Sequence, residues 1–283
     1  MTRSNVGTLV RHWRSHRARS QLDLALDVGV STRHLSYVET GRSRPSPELI
    51  EAIGIHLDVP LRDRNAMLLA AGFAPAHRRT PLDDPGLTHV LDQLGRLLRA
   101  HEPHPGFVLD RQWNVVLANT AADAMQALLP GELVEPTVNI FRASLHPAGF
   151  ASFTRNFDEW ATSLLAQLDR LIVLTDDADL KVIRDEVDAY PNVADLRRRS
   201  SWQAPFGSAD RDDVLIPCEL VVGGTELSMF STHTSFGTPR DITLEELSIE
   251  LFFPTDAVTA EFFRSAMSHD PSDPTSLKEP TDD

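Results

Sequence analysis

The sequence predicts two unlike domains in series, an all-α domain of five short helices followed by an α+β domain. Three observations predict it. Apolar residues in the first eighty positions recur at helical spacing between capping residues and glycine stops. A stretch rich in proline and charge, 74–86, then breaks the pattern. Beyond it, helical segments give way to a hairpin, more helices and a run of strand-like segments.

The elements of the first domain follow in order. Val6, Leu9, Val10 and Trp13 mark one face of a helix over 6–17. Ser20 offers an N-cap with Asp23 in the capping-box place, starting a helix over 21–28 that Gly29 ends. Ser31 caps a third helix that runs to Thr40, with Gly41 as its stop. Ser46 followed by Pro47 starts a fourth, with Leu49, Ile50, Ile53 and Leu57 on its apolar face. A fifth covers 61–71 and stops at Gly72.

In the second domain, Leu87, Leu91, Leu94 and Leu98 mark a helix over 87–100. Short apolar runs at 107–109 and 115–117 read as a hairpin, and Asn119 caps a helix running to Leu129. Helices are expected over 156–174 and 178–190, then strands over 214–222 and 227–235. In a last strand Leu247, Ile249 and Leu251 alternate with polar residues, the pattern of a half-buried strand. The expected boundaries are 1–74 for the first domain, 75–86 for a linker, 87–267 for the second domain and 268–283 for a disordered tail.

Charge separates the two halves. The net charge is -14, yet residues 1–80 carry twelve arginines against seven acids, a net +5, and the remainder carries -19. Arginine suits bidentate contacts to phosphate and guanine, although an arginine-rich solvated surface has the same composition. Cys218 is the one cysteine, which excludes an intramolecular disulfide and suits a reducing compartment. No signal-peptide pattern and no bilayer-length apolar run is present, so a cytoplasmic location away from membranes is expected.

The segment QLDLALDVGVSTRHLSYVETG, 21–41, carries the functional argument. Two helices crossing steeply over a three-residue turn need a small residue at the crossing, supplied by Ala25, and a backbone tolerant of positive φ, supplied by Gly29. Leu24, Val28, Val30, Leu35 and Val38 supply the apolar inner faces. This is a helix-turn-helix, whose second helix enters a major groove. Thr32, Arg33, Ser36 and Tyr37 are then candidates for base contacts, and Arg33 has the shape to pair with guanine. His34 either reads bases or flanks the turn. Gln21, Arg42 and Arg44 are candidates for the phosphate backbone.

Residues 5–75 resemble the Xre (Cro/repressor-type) helix-turn-helix family, through RHWRSHRARSQLDLAL, GVSTRHLSYVETGRSRPS and RDRNAMLLAAGFAP. The remainder resembles the MmyB-like ligand-binding domain, through LRAHEPHPGFVLDRQWNVVLAN, LHPAGF and LSMFSTHTSFGTPRDITLEELSIELFFPTD. These resemblances imply a bacterial repressor or activator. It would act as a homodimer on a double-stranded DNA operator, with a PAS-like α+β domain that senses a small apolar, fatty-acid-like ligand.

The residues of the second domain support a modest reading of their own. Trp113, Trp160, Phe230, Phe236, Phe252 and Phe253 either line a ligand pocket or pack an ordinary core. His233, with Ser231, Thr232 and Thr234, either meets a ligand head group or bonds to nearby backbone. No cofactor or metal is expected: His101 and His104 sit among prolines, and Cys218 is alone. No nucleophile elbow or phosphate loop appears, and 222–225 reads as a hairpin turn, so an enzyme is not expected. The rival reading is a regulator whose acidic half grips a protein partner, in the manner of an antitoxin.

Overall fold

The structure, a computed structural model, describes residues 5–199 and 215–268. The expected tail beyond Ser268 and the start of the strand expected at Val214 lie outside the described residues. The chain forms two compact units: Met1–Thr88 with Val173–Asp176 and Phe236–Leu247, and His89–Ile172 with Asp177–Ser235 and Ser248–Asp283.

The first unit begins with five helices: α1 Val6–His16, α2 Gln21–Asp27, α3 Thr32–Glu39, α4 Pro47–His56 and α5 Leu61–Ala70. Ser20, Ser31 and Ser46 each accept a hydrogen bond from the backbone N–H three residues on, satisfying a helix end as expected. Gly29 turns the chain between α2 and α3 at φ +70. Ala25 and Leu24 of α2, Leu35 and Val38 of α3, and Val10 and Trp13 of α1 share one buried cluster with Ile50, Ile53 and Met67.

Helix α5 has no side-chain cap of its own kind. Its Leu61 N–H donates to the carboxylate of Glu245 at 2.8 Å, and Arg62 makes two bonds of 2.6 Å to Glu246. Residues 236–247 therefore cluster with these helices. Thr80, inside the proline-rich stretch, is buried and bonds to Asp241 through both its N–H and its hydroxyl.

The remaining elements are α6 Pro85–Ala100, β1 Gly106–Leu109, β2 Val115–Ala118, α7 Thr120–Gln126, α8 Gly131–Val134, α9 Ile140–Leu145, α10 Phe157–Thr175, α11 Ala178–Asp188, α12 Pro191–Arg199, β3 Cys218–Val222, β4 Thr225–Ser235, α13 Ile242–Glu246, β5 Ser248–Pro254 and α14 Ala257–Ser268. The strands make an antiparallel sheet in the order β2-β1-β5-β4-β3. This is the expected PAS-like α+β arrangement. Asn119 caps α7 as predicted, with its side chain accepting from Ala122 N–H. Gly223 and Gly224, at φ +58 and +82, close the β3–β4 hairpin.

Leu164, Leu165 and Leu168 of α10 and Leu180 and Ile183 of α11 share a buried cluster with Phe107, Leu109, Leu220, Leu227 and Met229 of the sheet. The short helices α8, α9, α12, α13 and α14 were not foreseen, because each is too brief or too irregular in pattern to announce a periodic face.

One expectation is corrected. The alternation at 247–251 suggested a strand with its polar side in water. Instead Ser248, Ile249 and Glu250 are consecutively buried, at 8%, 9% and 3% exposure. β5 is the middle strand, hydrogen-bonded along both edges to β1 and β4, and residues of both parities are buried on it, so alternation does not mark a solvent side there.

Candidate functional site

Helix α3 keeps Leu35 and Val38 inside and leaves Thr32, Arg33, His34, Ser36 and Tyr37 exposed or half-buried along its other side. Two arginines converge on Tyr37. Arg33 Nε donates to the Tyr37 hydroxyl at 2.9 Å, and its guanidinium carbon lies 5.3 Å from the ring centre. The Arg42 guanidinium lies 5.8 Å from the same ring. Such cation–π contacts hold a long side chain in place at modest cost. Arg44 is turned back instead: it donates to Gly72 C=O at 3.2 Å and covers Phe73 at 4.3 Å.

Gln21, expected on the phosphate backbone, donates its side-chain amide to Glu39 Oε2 at 2.7 Å. Glu39 also receives Arg14 Nε at 2.6 Å and Nη2 at 3.0 Å, and its side chain is 1% exposed. Burial works to raise its carboxyl. The bonds from Arg14 and Gln21, with the charges of Arg14 and Arg11, outweigh burial and hold it below the usual value. Neither Arg14 nor Glu39 was singled out from sequence. The available signal was the place of Glu39, directly after the core residue Val38 on a short helix. Gly7 was missed too: a Cβ there would lie 2.2 Å from Val38 O, so α1 crosses α3 at backbone contact.

The seven aromatic and histidine candidates of the second half do not form one group. Trp113, Trp160 and Phe252 belong to the helix-covered cluster. His233 stacks on Trp113 with ring centres 5.1 Å apart and planes 10° apart, and Phe141 stacks on Trp113 at 4.8 Å. Much of His233 stays exposed, yet its desolvated ring holds the imidazole below the usual histidine value. Phe230 pairs across the ladder with Phe253, while Phe252 pairs with Ser231, so Phe230 and Phe252 point to opposite faces. Phe236 falls in the first unit.

Sequence reading also passed over Glu250. It lies on the ladder directly between Phe107 of β1 and His233 of β4. Its side chain is buried, and Oε2 has no hydrogen-bond partner among the described residues. Burial pushes its carboxyl up to about 7 against the opposing pull of the Ser231 hydroxyl. The desolvated Cys218 thiol, also close to Glu250, is pushed up as well.

Comparison with known families decides the assignment. The family model described as MmyB-like transcription regulator ligand binding domain matches residues 90–266. The chain belongs to this family. A second model, described as a helix-turn-helix domain, matches residues 5–67 of the regulator. No curated protein matches it. The regulator thus joins a helix-turn-helix to a ligand-binding domain and is a DNA-binding transcription regulator. Among the described residues, no helix is long and apolar enough to cross a membrane.

Proposed function

We propose that the regulator is a sequence-specific homodimer whose α3 reads an operator half-site and whose second domain, 87–267, releases or engages that operator on binding a small apolar, fatty-acid-like ligand. In this reading 1–74 is the DNA-binding domain, 75–86 the linker, and the chain performs no catalysis. Dimerisation follows because one helix-turn-helix reads only a half-site, and two are needed about one helical turn apart or a multiple of it.

The observation that supports the reading best is the outer side of α3. Arg33 and Arg42 are both held on Tyr37, beside the free edge of a helix whose inner side is fully packed. Arg33, with Thr32, His34 and Ser36, is assigned to base edges, and Arg42, Arg44 and Gln21 to the backbone. For Gln21 and Arg44 this requires giving up the bonds to Glu39 and Gly72.

The route from ligand to operator runs through chain connection. β4 and β5 are paired strands of the sheet, and the segment joining them, Phe236–Leu247, clusters with α5 in the first unit. A ligand that moved β4 against β5 would bias that segment, provided it bound the two states unequally.

The test is selection of random duplex DNA on the full-length protein, followed by anisotropy titration of the enriched site with and without lipid extract. A two-fold symmetric site whose affinity changes with extract is the expected result. Enrichment of no sequence over random DNA would refute sequence-specific binding.

A further inference from the structure

Three helix C-termini meet at one guanidinium. Arg17 is itself the C-cap of α1. Its Nε donates to Leu57 C=O at 2.9 Å and its Nη2 to Asp58 C=O at 3.0 Å, where α4 ends. Its Nη1 donates to Val173 C=O at 2.9 Å and its Nη2 to Leu174 C=O at 2.6 Å, in the last turn of α10. Helix C-termini carry partial negative charge and carbonyls with no partner inside the helix, so ends brought together repel unless a cation lies between them. Here four of the five N–H donors of one arginine are spent on such carbonyls.

α1 holds the end of α10 in two more places. His16 Nε2 donates to the same Val173 carbonyl at 2.7 Å, and His12 Nε2 to Asp176 Oδ2 at 2.6 Å. Val173–Asp176 accordingly cluster with the first unit, although earlier turns of the helix place Leu164, Leu165 and Leu168 in the cluster shared with the sheet. These contacts are polar, and Val173 and Leu174 leave their side chains outside, at 58% and 52% exposure. Hydrogen bonds at a surface exchange for water at little net cost, whereas buried apolar side chains would fix the segment permanently.

We propose that Arg17, with His12 and His16, is a releasable latch that ties the DNA-binding head of each protomer to the end of its α10 and so sets the separation of the two heads on the operator. This rests on the reading of the regulator as a homodimer on two half-sites, and names how the ligand-binding domain governs their spacing. A closed latch leaves each head little freedom, so once one half-site is bound the other is met at high effective concentration. With the latch open, α3 keeps its packing through Leu35 and Val38 and each head still reads its half-site. Placing both heads then costs more conformational entropy. The link to the sensor is α10 itself: a ligand that shifts its buried turns draws the Val173 and Leu174 carbonyls off Arg17.

The test uses the full-length protein, the two-half-site duplex enriched by selection and a duplex carrying one half-site. The double variant His12→Ala, His16→Ala removes bonds to the end of α10 and leaves those of Arg17 to Leu57 and Asp58. Arg17→Lys keeps the charge but replaces the planar fork with one ammonium, which cannot span four carbonyls. Both should bind the half-site within about twofold of the parent and the whole operator at least about tenfold more weakly. Both should also accept an operator with an extra base pair between its half-sites as readily as the original, which the parent should not. Hydrogen exchange without DNA gives a readout independent of any operator: the amides of 173–176 should exchange faster in both variants.

Unchanged exchange at 173–176 in both variants would overturn the latch. So would parent-like operator affinity and spacing preference, or an equal loss on half-site and whole operator, which would mark damage to the head itself. The two readings fail separately. Selection that enriches no sequence sinks the sequence-specific regulator, and exchange alone then decides whether α1 latches the end of α10. A symmetric operator that both variants bind like the parent leaves the regulator standing and removes the latch.

Discussion

Arg14 on α1 and Glu39 at the end of α3 form a buried two-pronged ion pair, and the amide of Gln21 at the start of α2 completes it. One carboxylate thereby ties together the three helices that set the direction of α3. Removing one partner of a buried pair strands the other, so Glu39→Ala should cost about 3 kcal/mol. Thermal unfolding measures this. The pH sign follows from the lowered carboxyl. Its stabilising contribution is present above the ordinary value of 4.5 and lost as pH falls through the lower folded value. Glu39→Gln should flatten that acid limb. An alanine variant that melts like the parent would show that the pair holds nothing together.

Gly7 makes a second demand on the same crossing. A methyl group there would meet Val38 O at 2.2 Å and Glu39 O at 2.8 Å, and both are backbone atoms that cannot rotate away. Gly7→Ala should destabilise the protein by about 1–3 kcal/mol and weaken operator binding, since α1 must back off α3. Gly131→Ala is the control, because its Cβ would meet nothing within 4 Å. Denaturant unfolding compares them, and equal midpoints would contradict the close crossing.

The Tyr37 platform predicts graded effects on DNA binding. Arg33→Ala should cost about 1–3 kcal/mol at the operator and relax preference at one base pair. Tyr37→Phe keeps the ring beneath both arginines but removes the hydroxyl that receives Arg33 Nε, so it should cost less, about 0.5–1.5 kcal/mol. Arg42→Ala and Arg44→Ala should weaken all sequences alike and lower the salt slope by about one each. Anisotropy across a salt series reads all four. A loss from Arg33→Ala that is equal on operator and random DNA would move base reading elsewhere on α3.

What the sequence disclosed was whatever is local. Serine caps at 20, 31 and 46, the turn at Gly29, the cap at Asn119 and the glycine pair at 223–224 each act within a few residues of chain. Glu39 and Glu250 were hidden for a common reason. An acid beside a core residue looks like solvated surface until its distant neighbours are known, and Arg14 is 25 positions from Glu39. The burial of Glu250 depends on its place on the middle strand, on the face of Phe107 and the cluster that α10 and α11 share with the sheet. The aromatic candidates were sound as large apolar residues, but strand pairing decides their face. A one-residue step sends Phe252 and Phe253 to opposite sides.

The raised carboxyl of Glu250 carries the last prediction. Its value near 7 exceeds the ordinary 4.5, so the folded protein holds a proton that the unfolded chain releases between these values. The stabilising contribution of that proton is complete below pH 4.5 and lost as pH rises through about 7. The titratable neighbours on the same face are His233, whose lowered value keeps it neutral near pH 7, and Cys218, whose raised thiol stays protonated there. Histidines with lowered folded values, His233 and His104, contribute the opposite slope below 6.5, so the parent-minus-variant difference isolates Glu250. The unfolding free energy of the parent minus that of Glu250→Gln should fall between pH 5 and pH 7. A parent-minus-variant difference that is flat over this range would mean that the carboxyl is ionised in the folded protein and has found a cation.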